Sequence, residues 1–168
     1  IVVSPEDDIE MRRLRITNRS GIRKTIEVTS YAEVVIAPAA SDLMAPAFSN
    51  LFVQTEILPN QNTILCTRRP RSADEKAPWM FHLMAVEGKA AEEVSYETDR
   101  MACIGHGNSL VDPQAMNNPG KFSGSQGSVL DPIVSIRYRI TLEPEETITM
   151  DMVTGIAETK ESCQGLIN

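Results

Sequence analysis

Residues 22–36 read IRKTIEVTSYAEVVI, and the spacing of their apolar side chains decides the fold class. Ile22, Ile26, Val28, Ala32, Val34 and Ile36 hold even positions, whereas Arg23, Thr25, Glu27, Thr29 and Glu33 hold odd ones. Successive side chains of an extended strand point to opposite faces, so this period of two predicts a long strand with one buried face.

The same alternation extends in both directions. IEMRRLRITN (9–18) supplies a strand upstream, and NRSG (18–21), rich in residues that tolerate unusual backbone angles, predicts a hairpin between the two. FVQTEIL (52–58) and NTILCTRR (62–69) flank the short polar break PNQ, the pattern of antiparallel neighbours. WMFHLMAVEG (79–88) and VSYETDRM (94–101) read as two more strands. IVSIRYRITL (133–142), with Val134, Ile136, Tyr138, Ile140 and Leu142 on one face, and TITMDMVTG (147–155), with Ile148, Met150 and Met152, form a last pair joined by EPEE. About eight strands at these spacings predict an all-β antiparallel sandwich. GIAETKESCQGLIN (155–168) then changes to a helical start, with Thr159 as N-cap and Glu161 in the first turn. The first residues, IVVSP, are already strand-like and lack an initiator Met, so both ends read as cut from a longer protein, with removal of the Met by processing as the alternative at the start.

Composition narrows the function. A chain of 168 residues with a formal net charge of −7 lacks the basic face that phosphate-backbone binding requires, and the run Arg68, Arg69, Arg71 is too short to reverse this. No apolar stretch is long enough for a membrane-spanning helix, and there is no signal-peptide pattern, so the domain reads as soluble with no membrane insertion of its own. Cys66, Cys103 and Cys163 are an odd set without zinc or redox-pair spacing and read as reduced, buried thiols; one disulfide with one free thiol is the alternative. No metal or cofactor is implied.

Two segments break the alternation, APAASDLMAPAFSN (37–50) and the glycine-rich stretch 105–128. Loops this long are usually binding elements or contacts to another body. An edge strand needs cover, so 37–50 is expected either to cap the sandwich or to present Leu43, Met44 and Phe48 at a domain interface. His82, inside a strand, reads as a satisfied structural histidine. His106, between two glycines, suits a turn or close ligand approach. GHGNSL and GSQGS lack the strand, helix and Lys-Ser or Lys-Thr ending of a phosphate loop. Asp7 with Asp8 and Glu92 with Glu93 are sequence neighbours that would face opposite ways on a strand, so no acid/base pair emerges. Asp99 with Arg100 reads as a turn stabiliser or local ion pair, and Trp79 as core or interface.

Taken in order, SPEDDIEMRRLRITNRSGIRKTIEVTSYAEVVIAP, APAFSNLFVQTEIL, RRPRSADEKAPW, YETDRMACIGHGNSLVDPQAM and SGSQGSVLDPIVSIRYRITLEPEETITMDMVTGIAET resemble the β-supersandwich domain of glycoside phosphorylases related to cellobiose phosphorylase. This is the former glycosyltransferase family 36, now glycoside hydrolase family 94, and the version within cyclic β-1,2-glucan synthases is the nearest in kind. The resemblance covers nearly the whole chain. It implies a galactose-mutarotase-like sandwich over 1–157 and, over 158–168, the start of a helical linker to an (α/α)6 barrel that carries the catalytic Asp. PAFSNLFV (46–53) belongs to the sandwich's signature; the family often has His before this Pro, where Ala45 stands here. The family's activity is inverting phosphorolysis of a β-glucosidic bond, and no residue of this chain matches the catalytic acid or phosphate site.

The resemblance thus implies a domain inactive by itself, with the barrel of the same polypeptide as partner and a homodimer as a further option. The parent would be a membrane-associated bacterial synthase, with this domain on the cytoplasmic side. The alternative is a carbohydrate-binding module contacting a β-glucan oligosaccharide. Its candidates are Tyr31, on the polar face of its strand, and His106, Asn108, Asp112 and Gln126, which offer the mixed donors and acceptors that read sugar hydroxyls.

Overall fold

The computed structural model describes residues 1–70, 72 and 74–168, so that Arg71 lies outside the described residues. Among the described residues, ten strands form two antiparallel sheets facing each other. The larger has the order β1 (Val2–Val3), β2 (Ile9–Thr17), β10 (Thr147–Ala157), β7 (Trp79–Glu87), β6 (Thr63–Arg68), β5 (Val53–Leu58). The smaller centres on β9 (Pro132–Leu142), with β8 (Glu93–Asp99) on one side and β3 (Lys24–Thr29) and β4 (Ala32–Glu33) in succession on the other.

The stretch 22–36 behaves largely as its period predicts. β3 and β4 keep a single register along β9, from Lys24 opposite Leu142 to Glu33 opposite Ile133, and only Ser30 and Tyr31 interrupt the ladder. Val34 and Ile36 are buried, with Ile26, Val28 and Ala32 packed beside them, whereas Ile22 at the leading end is exposed. Even-numbered residues of most strands make the shared core, including Ile64, Cys66, Met84, Ile136, Tyr138, Ile140 and Met150, whereas β5 contributes odd-numbered Val53 and Ile57. Each fully buried aliphatic side chain of this kind contributes roughly 1.5–3 kcal/mol.

Two of the expected hairpins are corrected. β2 pairs with β1 and β10, and β3 pairs with β9, so NRSG carries the chain from one sheet to the other. EPEE likewise links β9 to β10 across the sandwich. A turn-rich tetrapeptide permits either geometry, and the choice falls to the long antiparallel match of β2 with β10 over nine residue pairs. Asn18 ties the two crossovers together. Its Nδ2 donates to the carbonyls of Ile22, Leu142 and Glu143, its Oδ1 accepts from Ser20, its N–H donates to Glu146 O, and its own O accepts from Glu145 N–H. The PNQ hairpin between β5 and β6 is as expected, with a 3-10 turn at Pro59–Gln61.

The outer faces are also covered. α5 (Lys160–Ile167), N-capped by Thr159, lays Cys163, Leu166 and Ile167 over Leu65, Phe81 and Leu83 of the larger sheet. α3 (Arg100–Ile104), capped by Asp99, and α4 (Gln114–Asn117) cover Ile133 of the smaller one through Cys103, Ile104 and Ala115. The three cysteines are buried thiols, one in each of the three apolar clusters.

Candidate functional site

The two flanks of the sandwich differ. On one, residues 122–128 close the gap between sheets. Gly127 bridges Thr55 through two backbone bonds, Gln126 Oε1 accepts from Ile57 N–H at 2.8 Å, and Gly124 N–H donates to Tyr96 O. Edge cover for β5 thus comes from 126–127 and not from 37–50. This segment is held from beneath by Glu97, which is 1% exposed: its carboxylate accepts from the N–H groups of Thr98, Asp99 and Ser123 and from the hydroxyls of Ser123 and Ser125. Arg137, equally buried, donates to the carbonyls of Gly120 and Ala115 and to Thr29 Oγ1, with Phe122 stacked 4.3 Å over its guanidinium. A planar fork with five donors suits this multi-point clamping.

The other flank is open at the β4 end of the smaller sheet: β2 packs Ile16 into the shared core, whereas its Glu10 and Arg12 line a gap. A groove of about 570 Å³ remains there, within the range of small-molecule sites. Its floor contains Met80, His82, Met152 and Thr154; Tyr31, Ala32 and Glu33 form one wall, and residues 3–12 the other. His82 links the sheets: its Nε2 lies 2.8 Å from Ser30 Oγ in the β3–β4 interruption, and its Nδ1 lies 2.9 Å from Thr154 Oγ1 on β10. A neutral imidazole has one donor and one acceptor for two hydroxyls. Burial, and then the nearby Arg12, lower its pKa from 6.5 to about 4, so the ring is neutral at pH 7. The structural role expected for His82 is the one observed.

Tyr31 stands on this open flank. Its hydroxyl donates to Glu33 Oε1 at 3.2 Å, and its ring packs against the Cys103, Ile104 and Ile133 cluster. Burial and the Glu33 carboxylate raise its pKa to about 12. Arg100 Nε lies 3.5 Å from Glu33. None of the four candidates on 105–128 lines the groove. Gln126 is engaged at the β5 edge, Asp112 accepts from Asn117 Nδ2, and His106 and Asn108 are exposed beside the left-handed Gly105 and Gly107. The groove residues that sequence reasoning missed are Glu10 and Arg12. Their signal is charge at even positions of a strand whose later even members, Leu14 and Ile16, are apolar.

The segment 37–50 forms α1 (Ala39–Met44) and α2 (Pro46–Asn50). Ser49 is the anchor: Arg68 Nη1 donates to both its carbonyl and its hydroxyl at 3.0 Å, and the Arg68 guanidinium stacks 5.1 Å over Phe52. PAFSNLFV is therefore a Pro-initiated helical turn clamped onto β6, with Phe48 edge-on to Phe52. Leu43 and Met44 are 85% and 87% exposed, and Phe48 is 56% exposed.

The decisive comparison covers the full length of this architecture. The family model for the glycosyl hydrolase 94 supersandwich domain matches residues 1–168. The chain belongs to that family. This supersandwich is also 32% identical over 167 residues to the cyclic beta-(1,2)-glucan synthase NdvB of Rhizobium meliloti (strain 1021). The alignment takes in 99% of this chain and 6% of that protein. Among the described residues of the supersandwich, no helix is long and apolar enough to cross a membrane, and no group of three or more His, Cys, Asp or Glu could hold a metal ion.

Proposed function

We propose that this supersandwich is a non-catalytic domain of a glucan-processing enzyme of the cyclic β-1,2-glucan synthase kind, seating an (α/α)6 catalytic barrel in the same polypeptide. In this reading residues 158–168 lead toward the barrel, and the parent protein is membrane-associated with this domain on its cytoplasmic side. The observation that carries the reading is the α1–α2 segment. α2 is pinned to the sandwich through Ser49 and Arg68, and it holds Phe48 outward beside Leu43 and Met44 of the adjoining α1. An anchored helical turn with large exposed apolar side chains on it and beside it is suited to docking a second body.

The deciding experiment replaces Leu43 and Met44 by Ser in the full-length enzyme. The expected result is a folded sandwich, loss of glucan-processing turnover, and separation of a single unfolding transition into two. Unchanged turnover with a single transition refutes the reading.

A further inference from the structure

We propose that the groove on the open flank is a saccharide-binding subsite for a neutral gluco-oligosaccharide, distinct from the residues 105–128. The choice of a glucose-based ligand rests on the function proposed above; the case for a neutral sugar rests on the groove itself.

One row of the inner face is polar across three adjacent strands of the larger sheet. Glu10 on β2 stands opposite Thr154 on β10, which stands opposite His82 on β7. In the next row, Arg12 stands opposite Met152, and Met152 opposite Met84. An inner face that only served packing would carry apolar residues along its length, as it does farther along at Leu14, Met150 and Val86. The polar row lies where the smaller sheet ends, and it runs from the His82–Ser30 link outward to Glu10 at the rim.

The groove offers what a pyranose needs. Sugar rings have weakly polar C–H faces and a rim of hydroxyls that donate and accept. Met80, Met152 and the Tyr31 ring supply surface for the former. Glu10, Glu33 and Asp7 supply acceptors and Arg12 supplies donors. Glu10 already orients Arg12 through a 2.5 Å bond to its Nε, which takes one of five guanidinium N–H groups. The charge pattern selects against anions, since the lining carries Asp7, Asp8, Glu10 and Glu33 against the guanidinium of Arg12 alone, with Arg100 outside the lining 3.5 Å from Glu33, and His82 is neutral. A phosphate or nucleotide would meet net repulsion there, whereas an uncharged polyol would not.

The test is an amide NMR titration of the 168-residue chain with a linear β-1,2-linked glucotriose up to tens of millimolar, with cellobiose in parallel. The expected result is saturable shifts at residues 9–12, 31–33 and 153–155. Arg12→Gln, at a side chain 58% exposed, and Tyr31→Ala are each expected to weaken binding about tenfold, the loss of one charge-assisted or stacking contact, with the remaining spectrum in place. An equal response to cellobiose supports the saccharide site and removes linkage selectivity. No saturable shift in those three segments, shifts confined to 105–128, or unchanged affinity in both variants overturns the proposal. None of these outcomes bears on the seating role, which is read from Leu43 and Met44 in the full-length enzyme.

Discussion

Acidification between pH 7 and pH 4 should destabilise this domain through His82, and the structure sets the size of the effect. The ring is 4% exposed, linked to Ser30 and Thr154 across the two sheets, and titrates near 4 instead of 6.5. Above 6.5 it is neutral in both the folded and unfolded states and has no pH-dependent effect. Below 6.5 the unfolded chain takes up a proton that the folded one refuses, so stability falls until the pH reaches the folded value near 4. At about 1.4 kcal/mol per pH unit, the interval amounts to a loss of about 3 kcal/mol.

Other groups also respond to acid, notably Asp151 and Glu146, whose pKa values are lowered by bonds from Arg13 and Lys89. The measurement is therefore differential: urea unfolding of the wild type and of His82→Gln at several pH values from 7 to 4. Gln keeps a donor and an acceptor but does not titrate, while the carboxylates act equally in both proteins. The stability difference between the two should shift in favour of the variant by about 3 kcal/mol over the window. A difference that stays constant from pH 7 to pH 4 would refute the argument.

Gly155→Ala places a Cβ 2.5 Å and 2.7 Å from ring atoms of the fully buried Phe81 and 3.0 Å from Ile9, so a loss of about 1–3 kcal/mol is expected in thermal or urea unfolding. Glu97→Ala removes the acceptor of five hydrogen bonds and should cost about 3 kcal/mol. Hydrogen exchange should then show faster exchange at Ser123 and Gly124; unaltered protection there would contradict the clamp. Asn18→Ala unties the two crossovers and should cost about 2–3 kcal/mol in urea unfolding. Leu43→Ser with Met44→Ser should leave the stability of the 168-residue chain within about 0.5 kcal/mol, because both side chains are exposed.

Most strands and their buried faces are legible in local alternation, although 22–36 divides into β3 and β4 at Ser30 and Tyr31. A period of two sorts Val34 and Ile36 from Glu33, and Ile136 and Ile140 from Arg139, since alternation is a property of each strand's own backbone. The Thr159 cap, the PNQ turn and the buried place of His82 were readable for the same local reason, and the long ordered resemblance made the family legible. Sheet membership was not. NRSG and EPEE have the chemistry of hairpin turns, and only the pairing of β2 with β10, more than a hundred residues apart, makes them crossovers. The candidate site followed the same division. Tyr31 stood out by its odd position, but its groove exists because the smaller sheet ends beside β4 and leaves the Glu10 and Arg12 end of β2 uncovered, and where one sheet ends over another has no local signature. Arg68, read as part of a basic run, and Gln126, read as a sugar contact, form intramolecular bonds to Ser49 and Ile57. Partners so distant in sequence are chosen by tertiary packing alone.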